Sequence, residues 1–208
     1  MSAGDAFYLQ DSRSLTGDYM MFWAQDGKGY TSDLRKAHVY TKDEAMSQHR
    51  CRESDIPWPK EYIDDRTHQA VDMQYLKDAE ANPYFANPDC VFVFQVDKGF
   101  NGNDVYWQYP ENSDPPNGTN FEAAFSSRIL QARKLTPWPL DYIETKARPV
   151  VHAQCVSRKQ ALKGTGITLI KPKKYKEPPL RCAGCNRFMS SHQFWSGDCK
   201  KCGTDSRP

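Results

Sequence analysis

The end of the chain holds its most explicit chemistry: Cys182-Ala-Gly-Cys185, thirteen intervening residues, then Cys199-Lys-Lys-Cys202. Each Cys-x-x-Cys hook sets two sulfurs on one tight turn, and two such hooks supply the four ligands of a tetrahedral Zn(Cys)4 site. The segment between them is long enough for a short hairpin to bring the turns together. It is too small and polar to bury a core, so Zn2+ must supply its folding free energy. Two disulfides are the competing use of the same sulfurs.

On these residues, 180–208 resembles a zinc ribbon. Within it Phe188, Phe194 and Trp195 interleave with Arg181, Arg187, Lys200 and Lys201. Aromatic and basic residues together can stack bases and neutralise phosphates. The same aromatics could instead cover the metal in a module with no other core, and both readings stand. His192 lies in the loop and is expected only to decorate the hairpin.

Other constellations are weaker. Gly27-Lys28-Gly29 lacks the rest of a phosphate-binding loop and reads as a hairpin turn. Asp55, Glu61, Asp64, Asp65 and Asp72 form an acidic cluster in sequence that could hold Mg2+, but a solvated acidic surface is expected. His152 aligns with Asp72 across an internal repeat and could meet it as an acid/base pair; a satisfied strand histidine is preferred, since no nucleophile is in sight. No catalytic residue is assigned.

The repeat organises the rest. Pro57, Trp58, Pro59, Tyr62 and Ile63 recur at an offset of 80 as Pro137, Trp138, Pro139, Tyr142 and Ile143, and Val71 and Gln74 recur in the same register as Val151 and Gln154. Phe22-Trp23 has a counterpart in Tyr106-Trp107, and Glu44-Ala45 in Glu122-Ala123. This reads as a duplicated strand-helix-Pro-Trp-Pro-strand module, about 7–80 and about 88–160, forming one α+β body over residues 1–170. Strands are expected at Tyr19–Trp23, Cys90–Val96 and Val105–Tyr109. A capping box, Thr41-Lys-Asp-Glu44, starts the first helix. Asn120 caps a second helix running to Lys134, with Phe121, Ala124, Phe125, Ile129 and Ala132 as its apolar stripe. Pro57 and Pro137 then stop the helices, Trp58 and Trp138 plug the core, and strands follow at Val71–Leu76 and Val150–Val156. Residues 171–179, rich in Lys and Pro, form an extended linker to the ribbon.

Hydrophobic residues make up 38% of the chain and aromatics 12%, so thin cores anchored by aromatic rings are expected. Residues 171–208 carry nine Lys/Arg and three Asp/Glu, a formal +6 against −4 for residues 1–170. A basic ribbon therefore hangs on a mildly acidic body, which permits nucleic-acid contact. No run spans a bilayer and no secretory signal is visible, so a cytoplasmic protein without membrane contact is expected. Cys51, Cys90 and Cys155 read as reduced thiols, the last two buried in strands.

Tyr8-Leu-Gln-Asp-Ser-Arg13, Phe22-Trp23, Gly29-Tyr-Thr-Ser-Asp-Leu34 and Val71-Asp-Met-Gln-Tyr75 together resemble uncharacterised accessory proteins of tailed bacteriophages and prophages. The resemblance covers roughly residues 7–76. It implies a phage accessory protein in the bacterial cytoplasm and brings no established activity. The lack of a coherent catalytic set, the aromatic-rich body and the charged module on a tether point to a non-enzymatic protein that engages a host factor or nucleoprotein complex. With the resemblance, interference with a host defence or transcription system is the concrete expectation. The alternative is a nucleic-acid-processing or -modifying enzyme that grips its substrate with the ribbon.

Overall fold

Phe7 to Asp11 are buried on both faces of the first strand, and burial alternates only beyond them. That strand is therefore the middle of a sheet. The computed structural model describes residues 6–128, 135–170 and 179–205, which fall in two units, Met1–Lys171 and Pro172–Pro208. It contains both helices and strands and is an α+β protein.

In the first half, β1 (Ala6–Thr16), β2 (Tyr19–Trp23), β3 (Tyr30–Thr31) and β4 (Tyr40–Thr41) precede α1 (Lys42–Cys51), β5 (Asp55–Pro59), α2 (Lys60–Asp64) and β6 (His68–Ala70). In the second, α3 (Asp78–Phe85) leads to β7 (Phe92–Asn101), β8 (Asp104–Gln108), β9 (Asn117–Gly118), β10 (Ser126–Ser127), β11 (Leu135–Pro139), α4 (Leu140–Lys146), β12 (Arg148–Val150) and α5 (Arg158–Ala161). The last unit holds α6 (Ser191–Ser196).

Each half builds a five-stranded antiparallel sheet around its long strand. β1 pairs with β2, β4 and β5, and β7 pairs with β8, β10 and β11. Both central hairpins turn through two residues, Gly17-Asp18 and Gly102-Asn103, with φ of 60° and 62° at the glycine. A positive φ there fits the right-handed twist of the flanking strands and favours glycine. The two turns also abut: a Cβ on Gly102 would lie 2.7 Å from the Gly17 amide nitrogen.

The Pro-Trp-Pro segments are strands, which corrects the expectation that their prolines stop helices. α1 ends earlier, at Cys51. β5 and β11 are edge strands, each paired, among the described residues, only with its long strand. Prolines at alternate positions put both missing N–H groups on the unpaired edge, where nothing needs them. Trp58 and Trp138 point inward, 2% and 7% exposed, as the core anchors expected of them.

Three other expectations are corrected. Asn120 accepts a hydrogen bond from the Glu122 amide, but it caps only a 3-10 turn, Phe121–Ala123. Phe121 packs edge-on against Trp107, and Phe125 then donates its amide to the Gln108 carbonyl as the chain extends into β10. The rest of the expected helix, with Ile129 and Ala132, lies outside the described residues. The strands expected at Val71–Leu76 and Val150–Val156 stop at Ala70 and Val150, and 3-10 turns at Met73–Tyr75 and Ala153–Cys155 follow. Finally, Gln10 faces Phe22 and Gln95 faces Trp107, so pairing matches Phe22 with Trp107 rather than Tyr106. Glu44-Ala45 lies in α1, whereas Glu122-Ala123 lies in a 3-10 turn.

The halves exchange parts. The first sheet's core of Tyr8, Met20, Phe22, Trp58 and Ile63 is closed by Val151 and Ala161; the second, around Val93, Trp107, Trp138 and Ile143, by Val71. Met20 donates its amide to Val151 and Val105 donates to Val71, both at 3.0 Å. Between the sheets β6 and β12 pair antiparallel, with Gln69 opposite Pro149. Neither half encloses a core alone, because each leaves a face that the other's chain covers.

Candidate metal centre

Two local turns build the cysteine site. In the first, the Asn186 amide donates to the Cys182 carbonyl at 2.9 Å; in the second, the Gly203 amide donates to Cys199 at 2.8 Å. The residue after each hook is left-handed, with φ of 57° at Asn186 and 71° at Gly203. Asparagine and glycine are the residues that tolerate this conformation best. It curls each turn back so that both of its sulfurs face the same point.

The four ligand sulfurs of Cys182, Cys185, Cys199 and Cys202 all lie within 4.8 Å of one another. Across the hooks, Cys182 Sγ is 3.5 Å from Cys202 Sγ and Cys185 Sγ is 3.8 Å from Cys199 Sγ. A tetrahedron with metal–sulfur bonds of about 2.3 Å has edges of about 3.8 Å. A disulfide needs about 2.05 Å, so the spacing suits a shared ion. The residues therefore fit a metal, and four soft sulfur donors suit a soft or borderline one. Among the described residues none of the seven cysteines is in a disulfide.

The segment between the hooks is not the expected hairpin. It is a helical turn, α6, opened by a capping box in which Ser190 accepts from the Gln193 amide. Single bridges, Arg181 with Phe188 and Asp198 with Asp205, tie each hook to its flank. His192 is exposed on α6 and takes no part in the cysteine cluster.

The binding residues expected from sequence fall into two groups. Arg187, Phe188, Lys200 and Lys201 line one small cleft of about 70 Å3. Arg181 stacks its guanidinium 3.8 Å from the centre of the Phe188 ring. Phe194 and Trp195 stand on α6, edge to face at 5.5 Å. Phe188 is 59% exposed and Trp195 63%, so neither ring covers the sulfurs. Phe194 is half-buried.

The weaker constellations resolve differently. The loop Gln25–Gly29 joins β2 to β3, and Lys28 pairs with exposed Asp26. The acidic residues do not converge: Asp64 binds Lys60 and the Tyr8 hydroxyl, Asp55 is buried beside Arg52 and Gln48, and Asp72 is buried beside Arg148. Asp55 and Asp72 are thus not the solvated surface expected. His152 stacks on His68 at 5.2 Å and lies 4.5 Å from the Tyr19 ring. Among the free thiols Cys155 is exposed on a 3-10 turn and Cys90 half-buried outside any strand, which corrects the burial expected of them.

Sequence reasoning missed one polar centre. Arg148 donates to both carboxylate oxygens of fully buried Asp104, at 2.7 and 3.2 Å, and to Ser32 at 3.4 Å. Burial nevertheless raises the Asp104 pKa, with Arg148 opposing. The partners lie 44 residues apart, so no local pattern announces the pair. Comparison with family models, curated proteins and solved structures returns no match. Among the described residues, no helix is long and apolar enough to cross a membrane.

Proposed function

We propose that this chain is a non-enzymatic, phage-type accessory protein that binds a host nucleoprotein complex in the bacterial cytoplasm. Its body recognises a protein component, and its ribbon, folded around Zn2+, grips nucleic acid. Interference with a defence or transcription system is the biological form of this reading. The observation that carries it is the exposure of Phe188, which stacks on Arg181 and shares a cleft with Arg187, Lys200 and Lys201, and of Trp195 on α6 of the same unit. Exposed rings cost free energy in water unless something covers them, and bases stacked on a cationic surface are suitable cover.

The body is, in the same reading, a duplicated module. What supports this is the recurrence of its pairings: Trp58 lies opposite Tyr8 and bonds Gln10, while Trp138 lies opposite Val93 and bonds Gln95. Tyr62 accepts from the Ser157 amide and Tyr142 from the Lys77 amide, both at 2.9 Å. A fused pair of modules presents a broad surface on one rigid body, which suits protein recognition.

Affinity capture from bacterial lysate, with and without nuclease, tests the division of roles. A partner retained by the full chain, and more weakly after nuclease or after deletion of residues 171–208, is expected, since two tethered weak contacts reinforce each other. Capture that survives nuclease and ribbon deletion undiminished would remove the ribbon from the account.

A further inference from the structure

A cavity of about 550 Å3 opens beside the β6–β12 pair, at the opposite end from the Arg148–Asp104 ion pair. The ion-pair end is filled by Arg148, Asp104, Asp72 and Ser32. At the cavity end stand His68, Tyr19, His152 and Thr119. His68 lies within hydrogen-bond distance of the Tyr19 hydroxyl, Tyr19 donates to Thr119, and both imidazoles stack near the same ring. Neutral side chains without a guanidinium leave open the space that an ion pair fills at the other end.

The floor is rigid. Tyr19 is fully buried and Thr119 is 5% exposed. Asn101 accepts from the Asp18 amide at 2.9 Å and donates to its carboxylate at 3.2 Å, which holds Asp18 at the mouth. Tyr109 is fixed by accepting from the Asn120 amide and by packing on Gly118, where a Cβ would lie 2.6 Å from its hydroxyl. A side chain at position 118 would have to displace that ring.

We infer that this cavity is a binding site for an uncharged nucleobase or nucleoside. Its volume lies in the range of small-molecule sites. Tyr106, Tyr109 and the two stacked imidazoles offer flat surfaces, which suit a flat heteroaromatic ring. The ring nitrogens of His152 make no hydrogen bond among the described residues. A neutral imidazole there presents one donor and one acceptor, the complement of a base's amide edge. Asp18 supplies a pure acceptor for an exocyclic amino group, and the Asn117 carboxamide a paired donor and acceptor. No Lys or Arg lines the cavity among the described residues, so a phosphate or carboxylate finds no cation. Burial keeps the imidazoles from supplying one: it pushes His68 down to about 4 and lowers His152 as well. This inference does not rest on the ribbon's role, since every lining residue belongs to the body.

Titrating the full chain with adenosine, guanosine, cytidine and uridine, and following the imidazole C–H signals by NMR, tests it. At least one nucleoside is expected to shift His68 and His152 saturably with Kd below about 1 mM, leaving His192 still. Its 5′-monophosphate should bind no more tightly. Asn117→Trp, which puts bulk in the cavity, should weaken binding at least roughly tenfold. If that variant loses its melting transition, His152→Ala is read in the same way. Absence of saturation by all four nucleosides would overturn the inference. So would shifts confined to His192, equal binding of free ribose, or affinity unchanged in the variant.

Discussion

Trp138 donates its indole N–H to the Gln95 side chain at 2.9 Å, diagonally across the β11–β7 pair. Trp58 does the same to Gln10, also at 2.9 Å. Each bond satisfies the one polar atom of a ring otherwise sunk in the core, which lets the largest side chain of the segment act as an apolar plug. Trp58→Ala and Trp138→Ala are each expected to cost about 3–5 kcal/mol in urea unfolding. Gln95→Ala should cost less, about 1–3 kcal/mol, for an orphaned indole N–H. Equal stability of the tryptophan variants and the parent would mean the rings are not plugs.

The Arg148–Asp104 pair is buried, and removing one partner strands the other's charge. Arg148→Met is expected to destabilise the body by about 3–5 kcal/mol. Adding Asp104→Leu should recover part of that loss, because an apolar pair needs no compensation, although buried Asp72 still lacks its cation. A double variant no better than the single one would show that Arg148 acts through packing instead.

His68 makes the body acid-sensitive in a defined window. Its folded pKa is about 4, depressed by burial and then by His152, against an ordinary 6.5. As pH falls below 6.5 the unfolded chain takes a proton that the folded chain refuses, so stability present above that value is lost toward pH 4. The urea midpoint is expected to fall less between pH 7 and 5 in His68→Gln than in the parent. Parallel declines would assign the sensitivity elsewhere.

Cys199 is 4% exposed and contributes one of the four sulfurs. Cys199→Ser is expected to lose bound zinc and the ribbon's structure, while the body's melting transition stays where it was. Elemental analysis of the parent should give one zinc per chain. A chain without metal, prepared without chelator, would contradict the assignment.

Much of this is legible in the sequence. The Cys-x-x-Cys spacing located the sulfur cluster, and Thr41 and Glu44 form the capping box their types imply. Other features were hidden for physical reasons. β1 buries Gln10 and Asp11 among its apolar residues, which breaks the pattern by which a strand is recognised. Phe121, Ala124 and Phe125 have helical spacing, yet the same spacing serves a turn followed by an extended segment. Pro57 and Pro137 argue against a strand unless it is an edge strand, and edges are set by tertiary pairing. The exchange of Val71 and Val151 between cores, and the cavity at Tyr19, His68, Thr119 and His152, depend on contacts between distant residues.

The central claim is that the ribbon grips nucleic acid through exposed rings and cations. Affinity of the full chain for a fluorescent single-stranded oligonucleotide, measured across a salt series, tests it most directly. The account predicts saturable binding whose logarithm falls linearly with the logarithm of salt, at about 0.7 per phosphate neutralised. Lys200→Ala with Lys201→Ala should flatten that slope by about 1.4. Trp195→Ala should weaken binding by about 1–3 kcal/mol with the slope preserved. Binding that is absent at low salt, or that keeps the parent's slope and affinity in both variants, would contradict it.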